Sequence, residues 1–108
     1  MELKMSPDEL TDYAMWISEF VKRKGFHTPC NIDDHNGMLA KLMLVTTEIA
    51  EAAEAVRHKD HDNFCEELAD AMIRLLDIFG AMNVNPCYWL DWKMQKNMGR
   101  EYKHGKEC

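Results

Sequence analysis

Four regularly spaced carboxylates are the residues of this chain best suited to metal chemistry. Glu48 and Glu51 lie three residues apart, and so do Glu67 and Asp70. Two side chains at that spacing leave the same side of an α-helix, with Cβ atoms about 5–6 Å apart. Each pair therefore offers two carboxylates together. An all-oxygen ligand set with no cysteine or histidine at ligand spacing favours a hard cation, Mg²⁺ or Mn²⁺, over zinc.

Bringing both pairs together would require a cation. The short link at residues 58–61 predicts an antiparallel hairpin in which all four acids converge on one pocket. Two unit charges ~5 Å apart repel by roughly 3 kcal/mol at an effective dielectric of 20, and four such charges cost about as much as a small domain's stability. Mg²⁺ held by carboxylates usually bridges to substrate phosphates, which predicts a polyphosphate substrate. One pair alone is ordinarily a solvated helix face, whereas two pairs on consecutive helices favour a metal site.

The elements that must position these acids are helices, because helical signals recur four times and alternating strand patterns are nearly absent. Ser6-Pro7 opens a capping box before the first helix, and Asn85-Pro86 caps the last. We predict helices at about 7–24, at about 37–58, from the cap region 60–63 to about 82, and at about 86–102. The predicted fold class is all-α, with a four-helix bundle-like protomer.

Each acid-bearing helix also carries an apolar seam, a row of apolar residues at helical spacing. The seam of the second helix is Leu42, Val45, Ile49, Ala52 and Val56, and that of the third is Phe64, Leu68, Ala71, Leu75, Ile78 and Met82. The acids lie about 100° around each helix from its seam. Because both helices carry an apolar seam as well as a partly covered row of acids, one protomer cannot easily cover all of their apolar surface. We therefore expect a closed symmetric homo-oligomer.

Composition limits the classes of protein that this chain can be. With 108 residues and 46% hydrophobic content, we expect one domain spanning 1–108. The formal charge of −6 argues against binding a nucleic-acid polymer, which requires a basic surface. No signal peptide or membrane-spanning apolar run is evident, and the four cysteines form no CxxC pair. We therefore expect a cytoplasmic protein that handles a small nucleotide rather than a polymer or a membrane.

The acid pattern resembles that of the MazG-like all-α nucleotide pyrophosphohydrolases, which include dCTP pyrophosphatases and carry the motif EExxE followed after a gap by ExxD. The corresponding strings here are TEIAEAAEAV, from Thr47, and EELADAMIRLLDIF, from Glu66. The resemblance covers the second to fourth helices. Thr47 stands where the motif has its first glutamate, which leaves four acids instead of five. Arg74 stands where a related dCTP-hydrolysing branch has an aromatic residue near the base.

The resemblance implies an enzyme that hydrolyses the α–β phosphoanhydride of (deoxy)nucleoside triphosphates with Mg²⁺, releasing monophosphate and pyrophosphate. Such an activity suits nucleotide-pool housecleaning. By this resemblance Glu48, Glu51, Glu67 and Asp70 are the metal ligands and catalytic residues, and one of the glutamates orients the attacking water. The family's members are dimers or tetramers with active sites near subunit boundaries, so the resemblance implies a homo-dimer or homo-tetramer.

The predicted substrate-binding residues lie on other segments. Lys93, Asn97 and Arg100 share one helix face, and the string KMQKNMGREYKHGK is similar to the family's C-terminal segment that contacts triphosphate and sugar. Arginine and lysine suit a multiply charged triphosphate, although a basic last helix also offsets the helix dipole. His35 stands where a dCTP-hydrolysing relative has a histidine. Trp16 would stack on the base, or else pack in the core or a subunit interface.

The sequence argues against one alternative function and leaves another open. A di-iron carboxylate bundle needs Glu-x-x-His on two helices, whereas the fourth position here is Glu51 or Asp70. A non-catalytic helical oligomerisation or nucleotide-binding module would retain the fold, and Thr47 in place of an acid is the feature that allows it. Pyrophosphate release from deoxynucleotides with Mg²⁺ separates the catalytic from the non-catalytic hypothesis.

Overall fold

The computed structural model describes residues 7–24 and 32–99, which form four α-helices and no strand. The helices are α1 (Pro7–Arg23), α2 (His35–Arg57), α3 (His61–Ala81) and α4 (Pro86–Met98). This confirms the all-α prediction. The last helix is shorter than the predicted 86–102, because α4 ends at Met98 with Gly99 as its C-cap. Among the described residues, no helix is both long enough and apolar enough to cross a bilayer.

Side-chain caps determine where the helices begin. The Asp34 carboxylate accepts a hydrogen bond of 3.1 Å from the backbone N–H of Gly37, so α2 starts at His35 and not at the predicted position 37. Asp60 caps α3 in the same way, and the Asn85 side chain caps α4 ahead of a proline at the first helical position. Each cap satisfies an N–H group that has no partner within the helix.

The packing of α2 on α3 creates the frame of the site. Only His58, Lys59 and Asp60 link the two helices, and Lys59 adopts a left-handed conformation with φ of 57°. Such a short link returns the chain antiparallel to itself, as the sequence predicted. The α2 residues buried in this structure include Ala52 and Ala55, whose small side chains allow the helix backbones to approach closely.

The third helix is the centre of the protomer, since α1 packs on it as well as α2, and α4 packs on α1. Gly80 marks the closest approach of α1 to α3. A Cβ atom at this position would overlap the carbonyl oxygen of Ala14 and the side chain of Ser18. One turn closer to the N-terminus of α1, the Thr11 hydroxyl donates a 3.0 Å hydrogen bond to the Asn85 side chain, which ties α1 to the start of α4.

The buried apolar core is small among the described residues. It consists of Ala14, Ile17, Ala52, Ala55 and Ala71. By contrast, the α2 seam residues Leu42, Ile49 and Val56 are 44%, 50% and 59% exposed. The buried residues of α2 are therefore Glu48, Ala52 and Ala55, whereas three of its larger seam side chains remain exposed.

Candidate metal centre

Three of the four predicted acids lie in one cluster. Glu48 of α2 and Glu67 and Asp70 of α3 each place a carboxylate oxygen within 4.8 Å of the other two. The antiparallel hairpin is the cause, because it sets the acid-bearing faces of α2 and α3 against each other. Oxygen ligands at such separations can bind one shared cation. We refer to these residues together with Glu51 as the acid cluster.

Glu51 joins the acid cluster through Glu67. Its carboxyl group lies within hydrogen-bonding reach of the Glu67 carboxyl, and this contact is the main reason that the pKa of Glu67 is raised to about 7. Desolvation and the nearby charges of Glu51, Glu48 and Asp70 raise the pKa further. Without a cation, this raised pKa allows the Glu67 carboxyl to keep its proton at a higher pH than an ordinary glutamate does.

One cationic side chain of the described chain contacts the acid cluster. The Nε atom of Arg74 lies 3.6 Å from Oε2 of Glu48, whose side chain is only 9% exposed. This Nε–H group is buried and has no hydrogen-bond partner among the described residues. A single guanidinium cannot balance four carboxylates, so the centre has an excess of negative charge that a divalent cation would neutralise.

A cavity of about 560 Å³ begins at the acid cluster and runs between α1, α2 and α3. Its lining residues are Val21, Gly37, Ala40, Lys41, Leu44, Glu48, Asp70, Ile73, Arg74, Asp77 and Ile78. Two acids at one end and a mainly apolar wall beyond them make it suited to a ligand with a charged end and an apolar body. Its volume lies within the range of small-molecule sites, roughly 300–1,000 Å³.

An ion pair that was not predicted from the sequence lies in this cavity. Nζ of Lys41 lies 3.3 Å from Oδ2 of Asp77, and both side chains are largely buried. A signal was present in the sequence, since Lys41 precedes Glu48 by seven residues and Asp77 follows Asp70 by seven. Seven residues are two helical turns, so each partner lies on the same helix face as an acid of the cluster.

The predicted substrate-binding residues lie elsewhere in the protomer. His35 is the exposed first residue of α2, and Trp16 is an exposed residue of α1 whose ring meets Tyr13 edge-on. Lys93 and Asn97 are exposed on α4. None of these four lines the cavity. Arg100 lies outside the described residues, and the structure brings none of the described four to the acid cluster within one protomer.

Comparison with known proteins identifies a family over part of the chain. Residues 36–82 match the family model of the MazG nucleotide pyrophosphohydrolase domain. The matched segment holds nearly all of α2, the whole of α3 and every member of the acid cluster, so the resemblance inferred from the sequence is confirmed there. Searches among curated proteins and among solved structures found no significant match to the chain.

Proposed function

We propose that this chain, MazG-like over residues 36–82, is a Mg²⁺-dependent pyrophosphohydrolase of (deoxy)nucleoside triphosphates that serves nucleotide-pool housecleaning. The observation that carries the proposal is the clustering of Glu48, Glu67 and Asp70 inside the matched segment. The reaction adds water across the α–β phosphoanhydride. The water oxygen bonds to the α-phosphorus, the bond from the α-phosphorus to the bridging oxygen breaks, and pyrophosphate leaves.

The acid cluster fits a hard divalent cation. Its donors are carboxylate oxygens alone, contributed by two helices, which suits Mg²⁺ and also Mn²⁺. Glu48, Glu67 and Asp70 would hold the ion, and Glu51, which contacts Glu67, would add a fourth carboxylate. When bound, the ion supplies charge neutralisation and polarisation of the substrate phosphates.

The surrounding residues supply positioning. Phosphoryl transfer depends mainly on alignment and charge stabilisation, so a fixed frame of carboxylates and a nearby cationic group contribute directly. Arg74 provides that group beside Glu48, and its guanidinium has donors left for a phosphate oxygen. One glutamate of the cluster orients the water. The cavity beyond holds the nucleoside.

We propose that the protein works as a homo-dimer or homo-tetramer. Among the described residues the buried apolar side chains are few, whereas large apolar side chains on all four helices are exposed. The exposed seam residues Leu42, Ile49 and Val56 lie seven residues apart on α2 and are a suitable apolar contact surface.

Assembly also gives the remaining predicted residues a role. Lys93 and Asn97 of α4, with Arg100 beyond it, would bind triphosphate and sugar in the active site of a neighbouring protomer. His35 and Trp16 would contact the base across the same boundary. This arrangement is consistent with the exposure of Lys93, Asn97, His35 and Trp16, none of which lines the cavity of its own protomer.

Thr47 does not favour the non-catalytic alternative. Its hydroxyl donates a 3.1 Å hydrogen bond to the carbonyl oxygen of Met43 on its own helix, and the acid cluster forms without it.

The direct test of the proposed function is to incubate the protein with the canonical and modified triphosphates and Mg²⁺, then identify the products by anion-exchange chromatography. Monophosphate and pyrophosphate are expected with Mg²⁺ and not with EDTA. A full panel without turnover would overturn the proposal.

A further inference from the structure

We propose that the Lys41–Asp77 ion pair is the base-binding end of the cavity, where it hydrogen-bonds the edge of the substrate's nucleobase. The proposal rests on the proposed function, because it requires a nucleotide whose phosphates lie at the acid cluster. It adds a specificity-determining site that the sequence analysis did not assign and that lies within a single protomer.

The helix geometry places the ion pair at a suitable distance from the acid cluster. Lys41 lies seven residues from Glu48 on α2, and Asp77 lies seven residues from Asp70 on α3. At 1.5 Å per residue the separation is about 10 Å along each helix. Because the helices are antiparallel, both displacements run towards the same end of the hairpin. A nucleoside with its 5′-phosphates at the acids spans about this length.

The chemistry of the pair also suits a base edge. The Lys41 and Asp77 side chains are only 11% and 13% exposed, and the contact uses one carboxylate oxygen and one of the three N–H donors of lysine. No other partner for either side chain occurs among the described residues. A buried ion pair contributes little net stability, because desolvation offsets its attraction. Its free donors and free acceptor oxygen instead give the cavity a polar end that can form several hydrogen bonds.

The cavity walls favour a flat apolar body at this point. Leu44 and Ala40 line it from α2, and Ile73 and Ile78 line it from α3. Between them, a base would lie against aliphatic side chains and present its polar edge to Lys41 and Asp77. Every nucleobase has a donor next to an acceptor on its pairing edge, and the order of these groups differs among bases. A fixed ammonium and carboxylate therefore distinguish bases by that order.

The test compares nucleotides with a base-free substrate, 2-deoxyribose 5-triphosphate. In the Asp77→Asn variant, which replaces an acceptor-only group by one that also donates, we expect kcat/KM for the preferred nucleotide to fall at least about tenfold. The ranking of the bases should change, while turnover of the base-free substrate stays within about twofold. Glu54→Gln, on an exposed ion pair of α2, is the matched control and should leave both values unchanged.

The outcomes separate the two proposals. If the wild-type protein hydrolyses no triphosphate, the proposed function fails. If it is active and Asp77→Asn lowers turnover of nucleotides and base-free substrate equally, the pair is structural and the base site is overturned. If circular dichroism shows that Asp77→Asn does not fold, calorimetry in the presence of Mg²⁺ measures ligand binding to the wild-type protein instead. Nucleoside monophosphates must then bind more tightly than 2-deoxyribose 5-phosphate, and equal affinities would refute the site.

Discussion

Arg74 faces Glu48 across the α2–α3 hairpin, with 3.6 Å between its Nε and Oε2 of the glutamate. The distance is too long for a hydrogen bond, and the buried Nε–H has no hydrogen-bond partner elsewhere in the described chain. Glu48 is thus a buried carboxylate with the positive charge of Arg74 close by, but the Arg74 Nε–H does not hydrogen-bond to it. We infer that Arg74 partly substitutes for the divalent cation in the metal-free protein.

Replacing Arg74 by methionine should therefore make the protein more dependent on its cation. We expect Arg74→Met to lower the free energy of unfolding in EDTA by about 1 kcal/mol, a modest value because the arginine side chain is 40% exposed and water screens the pair. The rise in Tm on adding Mg²⁺ should then be larger than in the wild type. Thermal melts with and without Mg²⁺ measure both effects.

The control for this experiment is Arg57→Met, which removes an exposed guanidinium 2.7 Å from Glu54 on the surface of α2. It should change neither the stability in EDTA nor the response to Mg²⁺ appreciably. An Arg74→Met protein whose response to Mg²⁺ equals that of the wild type would contradict the proposed substitution of arginine for the cation.

Stability without metal should fall as the pH rises through neutrality. The pKa of Glu67 is raised from 4.5 to about 7 by its contact with Glu51, so the folded state binds this proton more tightly than the unfolded chain does. The resulting stabilisation is fully present below pH 4.5 and is lost as the pH rises through about 7. In EDTA we expect Tm to decrease between pH 6 and pH 8, and Mg²⁺ to restore it at pH 8.

The Glu67→Gln variant identifies the responsible group, because it keeps the size of the side chain and cannot titrate. Its Tm in EDTA should depend less on pH over the same interval. If wild type and variant lose the same stability between pH 6 and pH 8, the titration of Glu67 is not the cause.

Gly80 should be essential to the packing of α1 on α3. Because a Cβ atom there would overlap the Ala14 carbonyl oxygen, Gly80→Ala must separate the two helices, and we expect a loss of about 1–3 kcal/mol in unfolding free energy. Urea denaturation measures the loss. Gly99→Ala is the matched control, since its Cβ would meet only ordinary contacts at 3.7 Å. Equal stability of the two variants would show that α1 and α3 do not approach this closely.

Association should depend on the exposed seam of α2. Ile49→Lys places a charge in the middle of this apolar row, so we expect it to lower the oligomer mass measured by size-exclusion chromatography with light scattering. Glu54→Gln makes the same change in charge on a different face of α2 and should leave the mass unchanged. A wild-type protein that elutes as a 12.6 kDa monomer would contradict the proposed assembly.

The sequence predicted the helices well, because their ends are encoded locally. Proline and asparagine at 85–86 start α4 as expected, and the cap at Asp34 shifted the start of α2 by only two residues. The end of α4 was placed too late, since Gly99 closes the helix after Met98. Caps and glycines act through neighbouring backbone groups, which explains why local pattern suffices for them.

The candidate site was predicted only in part. The i, i+3 spacing gave the pairing of acids on each helix, and the short link gave the hairpin that brings Glu48 to Glu67 and Asp70. The cavity and its Lys41–Asp77 pair depend instead on how α1, α2 and α3 are rotated against one another. The apolar seam of α2 did not predict that rotation, because the residues that α2 buries are two alanines and Glu48 rather than its larger apolar side chains.

Cation binding by the acid cluster is the most direct test of the account. Titration of Mn²⁺ followed by electron paramagnetic resonance should show saturable binding to the wild-type protein. The Glu48→Gln/Asp70→Asn variant, which removes one carboxylate from each helix, should lose it, and Glu54→Gln should retain it. Binding that is absent from the wild type, or equally strong in the double variant, would contradict the claim that α2 and α3 hold a shared divalent ion.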